Sequence, residues 1–383
     1  AWDLDTDRLF FTNCRMIDKK EFETVKITGY KLHRLNIPLR EPIGDSQVYF
    51  DEHWMTIVEL VGDDGQTGVG FDIQQGIPTA SLADQEAIFE HVNWPSLEGE
   101  SPLSLGLRIT RPRGGNVGVG FRNVAVETAL WDLAAKQAGL PLYKMLGGQV
   151  PEVRAYASTL DFHLDDAEFR NKLENFHQLG FRAVKIKVGH PDVGWDLRRM
   201  GIAVDVMGQG EPLMVDANEA WSVKEAMLRM HAYRDAGFEI YWIEDPITRE
   251  DFEGYARLCG ELPFTRVNTG EYLGYSGKRR LIEAQAVDVV NVHGSIGISR
   301  DIARLAADYG VPVSLGNTIM EIGVHLAASL PECLFLEFSD IRWNELAVEP
   351  VQFHDGLAIA PDRPGHGIEL DPEKLAHYSA PGG

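Results

Sequence analysis

Cysteine is scarce. Cys14, Cys259 and Cys333 are the only three in 383 residues; they lie far apart, fit no metal-finger spacing and cannot all pair. A disulfide-stapled secreted fold is thereby excluded, and a reducing cytoplasm is the expected setting. No run approaches the roughly 18 unbroken apolar residues of a membrane-spanning helix. No charged-then-apolar signal segment opens the chain either, so no membrane partner is expected. Positive charge is also short, with 36 Lys and Arg against 58 Asp and Glu and a net charge of −22. That excludes nucleic acid, whose phosphates need a basic footprint. The same field repels anionic substrates, so an acidic protein that binds them needs local cations: a metal, lysines or both. The acidity is equally the mark of a salt-tolerant source.

What is present divides into four stretches. Residues 1–25 carry no clear periodicity and read as an extension. Residues 26–150 begin with alternating strands, "VKITGYKLHRLNI" and "HWMTIVELVGDDGQTGVGFD", with "GDDG" as a hairpin turn. A helical run from Arg122 to Leu146 follows, making this an α+β domain. Over 151–345 the rhythm becomes βα, with strands ending near Ala157, Val188, Asp216, Glu244, Glu271, His293, Leu315 and Glu337. Roughly 20–30 residues per unit, about eight times over, is the cadence of a TIM-like barrel. Residues 346–383 form a C-terminal segment. A doubly wound sheet is the rival architecture, but it usually carries a glycine-rich turn after its first strand. "GNVGVGF" (115–121) only loosely suggests one and precedes a helix of the wrong domain.

Chemistry in a barrel gathers where strands end, on the C-terminal rim. Three consecutive strands end in Asp216, Glu244 and Glu271, at intervals of 28 and 27 residues. Any one of them alone reads equally well as a cap of the following helix. Three in register repel one another, and a hard divalent cation is the natural compensation; magnesium suits an all-oxygen site with open positions. One strand earlier stand Lys185 and Lys187, sharing a face across Ile186. Adjacent lysines beside a cation depress each other's pKa, as a general base near neutral pH requires. An isolated K-x-K is a weak signal; followed by the three spaced carboxylates it is a strong one.

"KIK", "VDAN", "WIEDP" and "TGE", in this order and spacing, resemble the mandelate racemase branch of the enolase superfamily (the mandelate racemase/muconate lactonizing enzyme family). "VETALWDLAAKQAGLPLYKMLGG" (126–148) and "LAIAPDRPGHGIELD" (357–371) look like that family's cap signature and tail. The resemblance implies a modified TIM barrel, (β/α)7β, with an N-terminal α+β capping domain completed by the C-terminal tail. It implies one Mg²⁺ per subunit on Asp216, Glu244 and Glu271, which stabilises the enediolate formed when the α-proton of a carboxylate leaves. Lys187 is then the base, Lys185 its modulator and carboxylate contact, and Glu337 a hydrogen-bonding partner of the enolate oxygen. Asn218 is implied as a ligand or substrate contact. Homo-oligomers, often octamers or dimers, are implied by analogy alone.

One departure stands out. The family's acid–base pair has Asp ending the sixth strand and His ending the seventh. Here alignment from Asp288 puts His293 at the first position, and alignment from Gly297 puts Asn291 there. The seventh strand offers Gly316 or Asn317. Either His293 acts alone opposite Lys187, or Lys187 does all the proton work. Cap loops 40–54 and 72–78 are expected to select the substrate, through polar residues such as Asp45 and Gln47; Tyr49, Phe50 and Trp54 are the alternative, as an apolar lid or as simple packing against the barrel. Dehydration of a sugar acid to a 2-keto-3-deoxy acid is the leading expectation. Racemisation, epimerisation and cycloisomerisation share its intermediate. A catalytically silent metabolite-binding protein and a nicotinamide-dependent dehydrogenase are the rivals of other classes.

Overall fold

A computed structural model of the chain describes residues 24–106, 124–316 and 320–380. The alternating N-terminal runs form an antiparallel sheet of β1 (Ile27–Gly44), β2 (Tyr49–Gly62) and β3 (Thr67–Gln75). Two glycines of β3 face the helix Val124–Gln137. A Cβ at Gly70 would lie 1.8 Å from the Ala125 carbonyl oxygen, and one at Gly68 would lie 2.2 Å from that of Ala129. Removing both side chains lets the helix lie directly on the sheet, so Ala125, Ala129, Leu130 and Leu133 are fully buried. The helix is shorter than the expected run to Leu146. It stops at Gln137; Gly139, at φ 65°, and Pro141 turn the chain before a short turn of helix at Leu142–Met145.

The barrel consists of β4 (Glu152–Ser158), β5 (Ala183–Lys187), β6 (Leu213–Asp216), β7 (Ile240–Glu244), β8 (Arg266–Thr269), β9 (Val289–Val292), β10 (Val313–Leu315) and β11 (Cys333–Phe338). All eight are parallel neighbours in this order, and β11 pairs with β4 to close the ring. A helix follows each of the first seven, which makes the (β/α)7β pattern. Several start on Asp or Ser N-caps, and Asp165 forms a full capping box with Glu168. Outward residues such as Ile186, Val215, Ile243, Val290 and Leu336 join the helices in one apolar core.

The tail adds β12 (Gln352–His354) and β13 (Leu357–Ile359), the latter antiparallel to β4. It then returns to the cap. Buried Asp132 of the cap helix accepts from the backbone N–H groups of Val69 and His366, at 2.9 and 2.8 Å. Gly297, in the first turn of the helix Ile296–Asp308, donates its N–H to Glu127 at 2.7 Å. Cap, barrel and tail are therefore one hydrogen-bonded body. No helix among the described residues is long and apolar enough to cross a membrane.

His325 belongs to the same seam. Its Nδ1 accepts from the Tyr143 N–H at 3.1 Å, and its Nε2 meets the His366 carbonyl at 3.0 Å. That pattern needs a neutral ring, and burial holds its pKa down to about 4, against 6.5 unperturbed. Between these values the unfolded chain binds the extra proton, so stability falls as pH falls through the window. The urea midpoint should therefore drop on acidification from pH 6.5 to 4. The drop should be shallower in His325→Gln, and an unchanged slope in that variant would remove the residue from the account.

Candidate active site

Period-two alternation builds the site. On five barrel strands an inward apolar residue is followed two positions later by an inward polar one. Tyr156, Ala183, Met214, Trp242 and Phe335 pack together as a floor. Ser158, Lys185, Asp216, Glu244 and Glu337 stand above them, all buried. Asn268 of β8 continues this layer, donating to Ser314 at 3.0 Å, and Asn291 of β9 donates to Glu244 at 3.3 Å. Strand register sets Lys187 beside Asp216, and Asp216 beside Glu244.

Buried charges are then paired at short range. The Lys185 ammonium lies 2.5 Å from Glu244, 3.1 Å from Glu337 and 3.5 Å from Asp216. Lys187 donates to Asp216 at 2.7 Å and to the Asn218 side-chain oxygen at 2.6 Å. Burial works against the Asp216 carboxylate, but Lys187 and Lys185 bring its pKa down to about 2. Burial likewise opposes the Lys187 ammonium. Asp216 and Glu271 together outweigh both that and the repulsion from Lys185, so its pKa is raised. Of the mutual depression expected of the two lysines, the effect of Lys185 on Lys187 is present, but the carboxylates override it and both ammonium groups are held above their ordinary pKa. Glu271 is pushed up to about 7 by burial and by Asp245 and Asp216, which marks a site with an excess of carboxylate.

Two residues escaped the sequence reading. Arg249 lies in the loop after β7, only 9% exposed, with its guanidinium among Asp245, Glu219 and Glu271. Lys278, 1% exposed, donates to the backbone carbonyls of Gly270 and Leu273 and so braces the segment carrying Glu271. A sequence signal existed only for Arg249, which follows Asp245 by four residues; Lys278 sits in a polar helical run that reads as surface.

Over the barrel mouth lies a cavity of about 380 Å³. Lys185, Lys187, Asp216, Asn218, Glu271 and Glu337 line it from the barrel, and Asp45, Gln47 and Gln75 line it from the cap. Asp45 accepts from the N–H groups of Gln47 and Val48, and Gln47 donates to the Asn218 carbonyl at 2.6 Å. Cap and barrel loops also join through the Gly44 N–H and the Leu160 carbonyl.

Not every expected residue reaches the cavity. Trp54 lies on β2 with its ring under Arg34, at 4.2 Å, and its indole N–H on Glu52, so it is no wall of the cavity. Asn291 and Glu244 lie beneath the lining. His293 follows the end of β9, edge-on to Tyr272 at 5.6 Å, and is not among the lining residues. Burial, with nearby Lys278, lowers its pKa to about 4. Tyr272, its ring partner, does line the cavity, so His293 stands one side chain back from it. Asn317 lies outside the described residues.

The donor set suits a divalent cation. Asp216, Glu244 and Glu271 are buried at or just beyond the ends of adjacent strands and offer only oxygen, which fits Mg²⁺. Among the described residues no three acidic, histidine or cysteine side chains already converge as a ligand cluster. Each of the three carboxylates is instead paired with a cation, Glu244 with Lys185, Asp216 with Lys187 and Glu271 with Arg249.

Comparison with known proteins agrees with this architecture. Residues 28–147 match the mandelate racemase / muconate lactonizing enzyme N-terminal domain, and residues 168–374 match the enolase C-terminal domain-like family. The 3,6-anhydro-alpha-L-galactonate cycloisomerase of Streptomyces coelicolor is 32% identical, over 91% of this chain and 97% of its own. A solved protein of Mesorhizobium loti is 43% identical with a TM-score of 0.88, covering 93% of this chain and 95% of its own. The L-talarate/galactarate dehydratase of Salmonella typhimurium, solved with Mg and L-lyxarohydroxamate, is 28% identical with a TM-score of 0.82 over 94% of each chain. Relatives at 27% to 32% identity include dehydratases, cycloisomerases and an epimerase. With both domain families matched in order on a closed barrel and its cap, the chain belongs to the mandelate racemase / muconate lactonizing enzyme family of the enolase superfamily.

Proposed function

We propose that this enzyme removes the proton α to the carboxylate of a sugar acid, with Lys187 as the base and one Mg²⁺ per subunit on Asp216, Glu244 and Glu271. The observation that carries the reading is the polar layer itself: two lysines on β5 followed by three carboxylates on the next three strand ends. Magnesium there supplies positive charge against the negative charge building on the substrate carboxylate, and offsets the hold of Asp216 on Lys187. Lys185 and Glu337, 3.1 Å apart, both line the cavity, and the Lys185 ammonium would meet the substrate carboxylate. Asn218 holds the Lys187 ammonium from the other side and aims it into the cavity.

The overall reaction we infer is dehydration. Lys187 takes the C2 proton, the C3 hydroxyl departs with a proton as water, and the enol becomes a 2-keto-3-deoxy acid. Asp45, Gln47 and Gln75 give the cap side of the cavity the hydrogen-bonding character a polyol needs. A second acid–base group facing Lys187, as racemisation by two bases requires, has little support. Gly316, just past β10, has Glu337 Oε2 and the Asn291 amide as the nearest atoms to where a Cβ would stand, at 2.8 and 3.1 Å, and as a glycine it supplies no such group. Lys185, Lys187 and Arg249 are the only basic residues among the described cavity lining.

Proton NMR in D₂O with Mg²⁺ and a panel of sugar acids tests this directly. A 2-keto-3-deoxy product is the expected outcome. An isomer carrying α-deuterium, with no water lost, would replace dehydration by epimerisation. Mg²⁺ binding with no exchange on any acid would support a metabolite-binding protein. Lys187→Ala should lower the exchange rate by about 10²–10⁴-fold while His293→Asn changes it far less; the reverse order would move the base to His293. Glu244→Gln should weaken Mg²⁺ affinity and turnover together, and unchanged Mg²⁺ dependence would remove it from the ligand set.

A further inference from the structure

Arg249 has a place that neither strand pairing nor core packing explains. Its backbone N–H donates to Glu219 at 2.6 Å. Its guanidinium meets Glu219 at 2.7 Å, Asp245 at 2.6 Å and Glu271 at 3.1 Å, and lies 4.8 Å from the Tyr272 ring centre. Each acid marks a different strand end. Glu219 follows Asp216 by three residues, Asp245 follows Glu244 directly, and Glu271 is itself the third carboxylate. One side chain therefore ties together the segments that leave β6, β7 and β8.

Those segments are also where the backbone departs from ordinary geometry. Asn218, Glu219 and Asp245 have φ of 44°, 65° and 40°, values that side chains other than glycine rarely adopt. Strain of this kind persists only where the surroundings over-determine it. A planar guanidinium does that for three carboxylates at once in a fixed fork, a rigidity that a lysine ammonium on its flexible stem lacks. Thr269 completes the clamp, donating to the second oxygen of Asp245 at 2.6 Å.

We propose that Arg249 is the positioning residue of the metal centre, setting the spacing of the three ligand-bearing strand ends through Glu219, Asp245 and Glu271. The inference rests on Asp216, Glu244 and Glu271 being the Mg²⁺ ligands. It assigns to a side chain outside that set the task of holding the site in shape. Arg249 is then what a bound cation finds already in place.

Calorimetric titration of Mg²⁺ into the wild-type protein and into Arg249→Met, Arg249→Lys and Glu219→Gln tests it, alongside melting of each with and without the metal. Arg249→Met should weaken Mg²⁺ binding by about 10–100-fold, the usual range for groups that orient ligands. Arg249→Lys should recover only part of that loss, and Glu219→Gln should show a smaller loss in the same direction. If Arg249→Met does not fold, the other two variants carry the test. Unchanged Mg²⁺ affinity with melting lowered equally in both states would reduce Arg249 to a structural residue and overturn the proposal. Tighter binding in Arg249→Met would overturn it too, by showing that Arg249 only competes with the cation for Glu271. A wild-type protein that binds no Mg²⁺ would overturn the metal reading itself, and the proposal with it.

Discussion

Collecting like charges in a buried place is the constraint on which the rest of this molecule depends. Asp216, Glu244, Asp245, Glu271 and Glu337 are each at most 9% exposed, and an isolated buried carboxylate is too costly to leave ionised. Lys185, Lys187 and Arg249 answer that charge from inside the same layer. Removing any one of the three cations leaves its partners uncompensated, which is why the network behaves as a unit. The chain is acidic overall, yet at the barrel mouth it places three of its scarce cations side by side.

The barrel makes such a layer affordable. Parallel strands end on one rim, and alternation sends every second residue inward, so a polar ring forms above an apolar floor while the outward residues of the same strands stay apolar. The tight cap geometry serves the same end. With Gly68 and Gly70 stripped of side chains, the cap helix lies close enough to its sheet for Glu127 and Asp132 to reach the barrel and the tail.

Much of this was legible in the sequence, for physical reasons. Asp216 and Glu244 stand at the strand ends that spacing assigned them, and Glu271 lies two residues beyond β8, because a βα unit has a nearly constant length. Lys185 and Lys187 share a face because a strand leaves them no alternative. What was not legible depends on three-dimensional crowding. His293 and Asn291 differ by two residues and share a face, and spacing could not say which of them ends the strand in the site; the structure places Asn291 in the layer and His293 beyond it, beside Tyr272. Trp54 looked like a lid because aromatic residues on cap strands often are, but Arg34 takes its face. Lys278 carries no motif and Arg249 only its four-residue spacing from Asp245, and a lone basic residue in a loop or helix ordinarily faces water.

The bond between Gln47 and the Asn218 carbonyl has a consequence for how such a protein changes over generations. Groups that handle the proton rise from the strands of one sheet, whereas Asp45, Gln47 and Gln75 arrive from another sheet with its own register. Mutations in the cap loop can reshape what the cavity admits while leaving the strands beneath untouched. Mutations in the polar layer have no such freedom, because every member is bonded to a neighbour. Novelty in this architecture therefore has an easy direction, through the roof, and a hard one, through the floor.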